Sequence, residues 1–220
     1  MRLYLSLVLM WFAGSAAFAL PPKPTTDEVV RGIESTYEGV ESLRAEFVQT
    51  TRSAALGEGQ KQRGRMEIKR PSKMRWDFQR PEPRLFVTNG ERMWVYSPKE
   101  KQAILYEDQA MLGSGVQSLL TDLQKLDEQF TVQEIEDPEA KRVNNVVLEL
   151  TPKTENANFK SLRLELTRKK YLLRRLVLVD AFDTETELAF TQVRLNMAMD
   201  DSVFEFQPPE GVEVIKPTGF

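Results

Sequence analysis

The chain has 220 residues, no cysteine and no histidine, and its 30 basic and 33 acidic side chains leave it slightly acidic. Those absences exclude a Ser-His-Asp triad, a thiolate nucleophile, disulfides and zinc held by histidine or cysteine. The acidic balance argues against a nucleic-acid partner.

The first residues read as an address. Met1-Arg2 is a short positive start, Leu3 to Ala13 is mostly apolar, and Ala17-Phe18-Ala19 fits an A-x-A cleavage site. The expectation is a secretory signal at residues 1–19, cut after Ala19, followed by one domain over residues 20–220. The apolar run is too short to span a bilayer easily. With no cysteine at the expected cleavage site, the mature chain is expected to carry no acyl anchor of its own.

Leu20 to Pro24 is a Pro-rich lead-in. Thr25-x-x-Glu28 is a capping-box pattern, and Val29, Val30, Ile33, Tyr37 and Val40 follow at helical spacing. This predicts a helix over Thr26 to Tyr37. From Leu43 the period changes to two, with a turn at Gly57-Glu58-Gly59 and a returning strand over Gln60 to Lys69. Further strands are predicted around Met74 to Phe78, Leu85 to Val87, Met93 to Tyr96 and Gln102 to Tyr106. Asn89-Gly90 is a strong hairpin signal.

Val116, Leu119, Leu120, Leu123 and Leu126 then return to helical spacing, with a break expected at Gly113 and Gly115. Strands resume at Phe130 to Ile135, and Asp137-Pro138-Glu139 reads as a turn. Val143 to Leu150, Phe159 to Thr167, Leu172 to Val179, Glu187 to Asn196, Phe204 to Phe206 and a short Val212 to Ile215 complete the set. The total is about ten or eleven strands. They suggest one antiparallel sheet curled into a barrel or half-barrel, its open side covered by two amphipathic helical patches. No internal repeat or second domain is visible.

Met66 to Phe78 holds the most informative conflict. Met66 and Ile68 share one face, with Arg65, Glu67 and Lys69 on the other. Met74, Trp76 and Phe78 likewise oppose Lys73, Arg75 and Asp77. Arg70 has the parity of Met66 and Ile68, so it points to the apolar side. A guanidinium there is costly unless it is paired or hydrogen-bonded.

Carboxylates such as Asp180, Asp183, Glu185, Asp200 and Asp201 fall in turns or on polar faces, where solvation is the ordinary role. No catalytic residue, metal site or cofactor is expected. Two basic groups, Lys61 to Arg75 and Arg168 to Arg175, read first as charges that protect solvent-facing strands and second as docking surfaces. Phe47, Met66, Ile68, Met74, Trp76, Phe78, Met93 and Trp94 are either plain core or the adaptable lining of a cavity for flexible apolar ligands.

Several stretches resemble the LolA family of periplasmic lipoprotein carriers. They are Lys69 to Phe78, Pro81, Asn89-Gly90, Trp94 to Pro98, Leu150 to Lys153 and Phe204 to Val212. The resemblance implies a mainly β fold, an unclosed antiparallel β-barrel under a lid of short helices. It also implies a periplasmic, non-enzymatic monomer. Such a chaperone takes triacylated lipoproteins from an inner-membrane ABC lipoprotein-releasing transporter and passes them to an outer-membrane receptor of the LolB type.

By the same resemblance, Arg70 bonds lid carbonyls near Leu119 to Thr121 and latches the lid. Val29, Ile33, Val116, Leu119, Leu120 and Leu123 form the lid's apolar face. Two other readings stand beside it. One is a periplasmic lipid- or polypeptide-sensing regulatory module on the same fold. The other is a lipid-processing enzyme, which would need a polar cluster in the cavity beyond Arg70.

Overall fold

The computed structural model of the chain describes residues 24–53, 57–107, 123–154 and 159–217. The expected leader lies outside the described residues, as do Val116, Leu119 and Leu120.

Helix α1 (Thr26–Glu38) starts as its sequence specifies. The Thr25 side chain accepts from the Glu28 amide, and the Glu28 carboxylate accepts from the Thr25 amide at 2.8 Å. Val29, Val30, Ile33 and Tyr37 bury one stripe of the helix. Gly32 sits mid-helix because the Tyr171 ring lies on it; a Cβ at Gly32 would fall 2.3 Å from that ring.

Among the described residues, thirteen strands form one sheet. They are β1 (Ser42–Ser53), β2 (Gly57–Glu58), β3 (Gln62–Lys69), β4 (Lys73–Arg80), β5 (Arg84–Thr88), β6 (Met93–Ser97), β7 (Gln102–Tyr106), β8 (Phe130–Ile135), β9 (Asn145–Pro152), β10 (Ser161–Thr167), β11 (Leu173–Val179), β12 (Glu185–Leu195) and β13 (Glu213–Ile215). The order is β13-β7-β6-β5-β4-β3-β1-β12-β11-β10-β9-β8, with β2 paired to β1 alone.

Two meanders, β3 to β7 and β8 to β12, are thus joined through β1, which pairs with both β3 and β12. Among the described residues, β8 and β13 end the series without pairing each other, so the sheet is not closed. Long, locally connected antiparallel ladders of this kind curl towards a barrel.

The structure departs from the expected elements in several places. Gly57 and Glu58, expected as a turn, pair with Ser53 and Arg52. Asp137-Pro138-Glu139 opens a one-turn helix, α3 (Pro138–Arg142), because the Asp137 carboxylate caps the Glu139 and Ala140 amides. Phe204 to Phe206 is no strand; Asp200 caps the Ser202 amide and draws Asp201–Phe204 into a 3-10 turn. Among the described strands the antiparallel expectation fails at the edge, where β13 runs parallel to β7.

A 3-10 turn (Leu123–Lys125) leads into the short helix α2 (Leu126–Gln129). Leu123 and Leu126 are fully buried and pack with α1 over the inner face of the sheet. A second apolar cluster lies on the outer face, where Met199 and Phe204 cover Leu85 and Val87.

Candidate functional site

The candidate site is the helix-covered face of the sheet and the arginine at its rim. Alternation along each strand and register between strands assemble the face. Ala45 pairs with Met66, Met66 with Trp76, and Trp76 with Phe86. One row over, Phe47 pairs with Gly64 and Gly64 with Phe78; on the other side, Ile68 pairs with Met74.

Gly64 leaves room for rings. The Phe47 ring packs 4.9 Å from Trp76 and 5.0 Å from Phe78. A Cβ at Gly64 would fall 2.1 Å from the Asp77 carbonyl oxygen and 2.9 Å from the Phe47 ring.

Phe47, Met66, Ile68, Met74, Trp76 and Phe78 are all buried in the cluster that α1 and α2 cover. Val29, Ile33 and Leu123 face them from the helices. Met93 shares their side of the sheet by register, through Thr88. Trp94 does not. It is the partner of Val87 and packs on the outer cluster, with Phe206 5.6 Å away. Neighbours in a strand point to opposite faces, so Met93 and Trp94 cannot line one cavity.

The sequence reading named only one half of this face. The other half is leucine, with Leu148, Leu164 and Leu176 paired in series across β9, β10 and β11, all fully buried. Period-two leucines mark these strands in the sequence, but alternation alone does not say which face they share with the aromatic half.

Arg70 follows β3 directly, and its amide donates to the Glu41 carbonyl. Its guanidinium turns inward. It donates to the Tyr37 carbonyl at 3.0 Å and to the Gln124 side-chain oxygen at 2.7 Å. Tyr37 lies in the last turn of α1, which carries no basic residue of its own. Arg70 therefore brings a cation to the negative end of that helix. The space around Arg70, Tyr37, Val40, Leu43 and Ile68 is about 10 Å³, at the lower limit for one water. The partners expected near Leu119 to Thr121 lie outside the described residues.

Tyr37 is anchored twice. Its hydroxyl accepts from the Leu173 amide at 3.1 Å, and burial pushes its pKa up to about 12. One residue thus joins the β3–β4 turn to β11. Glu34 of α1 accepts from the Asp127 amide and ties α1 to α2; its burial there raises the carboxyl above the usual range.

Several members of the basic groups are paired. Arg168 bonds Glu134 at 2.9 Å, Arg175 meets Glu165 at 2.8 Å and Asp137 at 3.2 Å, and Lys69 and Lys73 share Asp201. A groove of about 550 Å³ lies beside α3, lined by Glu134, Asp137, Lys141 and Arg168 among others.

Residues 38–207 match the family model described as outer membrane lipoprotein carrier protein LolA. The chain is 30% identical to an outer-membrane lipoprotein carrier protein of Azotobacter vinelandii, covering 98% of this chain and all of that one. It is also 30% identical to the carrier protein so named in Nitrosomonas europaea, over 90% of this chain and 93% of the relative. Among solved structures, an uncharacterized conserved protein from Thermus thermophilus superposes with a TM-score of 0.53 at 12% identity, over 87% of this chain and 98% of that one.

Proposed function

The chain belongs to the LolA family of outer membrane lipoprotein carrier proteins, and from that premise we propose how it works. It is a periplasmic chaperone. It holds the acyl chains of lipoproteins between the helices and the covered face of the sheet, and it delivers them to the outer membrane. The donor is an inner-membrane ABC transporter, and the acceptor is a LolB-type receptor. Neither exchange at the carrier requires it to catalyse a reaction.

The observation that carries this reading is the union of a large apolar face with a polar rim contact at Arg70. Each methylene removed from water is worth about 0.8 kcal/mol, so lipid chains need shielding throughout the crossing. A carrier must also let go. Arg70 is the latch: its bonds to Tyr37 and Gln124 hold α1 and the 123–129 segment on the sheet. Charge-assisted bonds are worth about 1.5–3 kcal/mol net, little enough for acyl burial to break them. The energy of the re-formed latch then favours release to a receptor that binds more tightly.

The test is release of a radiolabelled lipoprotein from spheroplasts into the soluble fraction. Purified mature protein is expected to release it in a one-to-one complex. Lipoprotein that stays with the membrane at every protein concentration would sink the proposal.

A further inference from the structure

The turn that carries Arg70 has an electrostatic problem at its base. Lys69 and Lys73, on either side of Arg70-Pro71-Ser72, are direct cross-strand partners. Like charges placed opposite one another push a hairpin apart. Both ammonium groups lie on the outer face, opposite to Arg70, and there they meet a single carboxylate. Asp201 bonds Lys69 at 2.6 Å through one oxygen and Lys73 at 2.8 Å through the other. Lys69 also donates to the Met199 carbonyl at 2.9 Å.

Asp201 is itself delivered by an anchored strap. Phe204 and Met199 are buried against Leu85 and Val87. Arg75 donates to the Val203 carbonyl at 3.1 Å, and Asp200 caps the Ser202 amide. From the neighbouring hairpin, Gly90 packs against Ser72; a Cβ on Gly90 would fall 2.2 Å from the serine hydroxyl. The turn is thus gripped from outside while its arginine reaches inside.

We infer that Asp201 is a positioning residue for Arg70: by bridging Lys69 and Lys73 on the outer face, it holds the β3–β4 turn where the guanidinium reaches Tyr37 and Gln124. This rests on the reading of Arg70 as the latch. It gives the 199–206 strap, which packs on the outer face, a part in lid closure.

The test is a double-mutant cycle on the purified mature protein, read by binding of an apolar fluorescent dye such as bis-ANS. Asp201→Asn is expected to tighten dye binding about two- to fivefold, the range of an exposed ion-pair network. Arg70→Leu is expected to tighten it more, and the double variant to match Arg70→Leu alone. Additive effects would overturn the inference, because residues that act through one another are not additive.

Asp201→Glu is expected to restore most of the wild-type value, and Asp201→Ala to reproduce Asp201→Asn should that variant fold poorly. Raising the salt should narrow the gap between the wild type and Asp201→Asn, because it screens both the bridge and the bare Lys69–Lys73 repulsion; a gap independent of salt would count against the bridge. The spheroplast assay separates this idea from its premise. Lipoprotein release with an additive cycle keeps the carrier and removes the bridge. No release with a non-additive cycle does the reverse.

Discussion

The guanidinium of Arg70 donates to the main-chain carbonyl of Tyr37 at 3.0 Å, linking the turn after β3 to the last turn of α1. A side chain that parity aims into an apolar face finds its partner in a helix end, where carbonyls lack intrahelical donors.

Removing that bond should separate loading from unloading. Arg70→Leu is expected to accept lipoprotein from spheroplasts at least as well as the wild type, because closure no longer competes with cargo. It should pass cargo to receptor-bearing outer membranes poorly. Two charge-assisted bonds at about 1.5–3 kcal/mol each imply a loss of tenfold or more in transfer. Normal transfer would remove the latch.

The two faces of β6 can be told apart by photo-crosslinking. A benzophenone side chain at Met93 or Trp76 is expected to crosslink to the acyl-bearing part of a bound lipoprotein, and one at Trp94 is not. Labelling from Trp94 equal to that from Met93 would contradict the register of β5 and β6.

Gly64→Ala should destabilise the fold by about 1–3 kcal/mol or more, because its Cβ meets the Asp77 carbonyl and the Phe47 ring with no slack. Gly39→Ala is the control. A Cβ there meets nothing within 4 Å, and the expected change is within about 0.5 kcal/mol. Urea midpoints of the two variants measure the difference.

Stability should fall on the alkaline side through Tyr37. Its folded pKa, raised by burial to about 12 from 10.0, means the folded state keeps a proton that the unfolded chain loses. The contribution is intact below pH 10 and is lost as the pH rises towards 12. Tyr37→Phe should flatten this part of the profile relative to the wild type. It should also cost about 1–3 kcal/mol at neutral pH, since the buried Leu173 amide loses its acceptor. Urea midpoints from pH 8 to 11 would show an unchanged slope if Tyr37 has no part in it.

On the acid side the sign reverses. Hydrogen bonds from Lys69 and Lys73 hold the Asp201 carboxyl down at about 2, against 3.8 ordinarily. The unfolded chain therefore takes up that proton first. The contribution is present above about pH 4 and disappears as the pH falls towards 2. Asp201→Asn should lack this acid dependence, and a profile that superposes on the wild type would argue against the bridge in solution.

By itself, the sequence determined most of the elements and the chemistry of one face. Capping at Thr25 and Glu28, period-two alternation in Met66–Ile68 and Met74–Phe78, and the inward parity of Arg70 are local properties, set by backbone geometry and side-chain type. The wrong placement of Trp94 came from reading residue type instead of alternation. What only the tertiary structure decided depends on which strands meet. Met93 and Trp94 part company because of the β5–β6 register, and Leu148, Leu164 and Leu176 become the second half of the face because β9 to β11 fold back beside β12. Tyr37 and Gln124 lie 33 and 54 residues from Arg70 in the chain, and Asp201 lies 132 residues from Lys69. No local pattern encodes pairs at such separations; only the curled sheet brings a helix end, a turn and a distant strap to one rim.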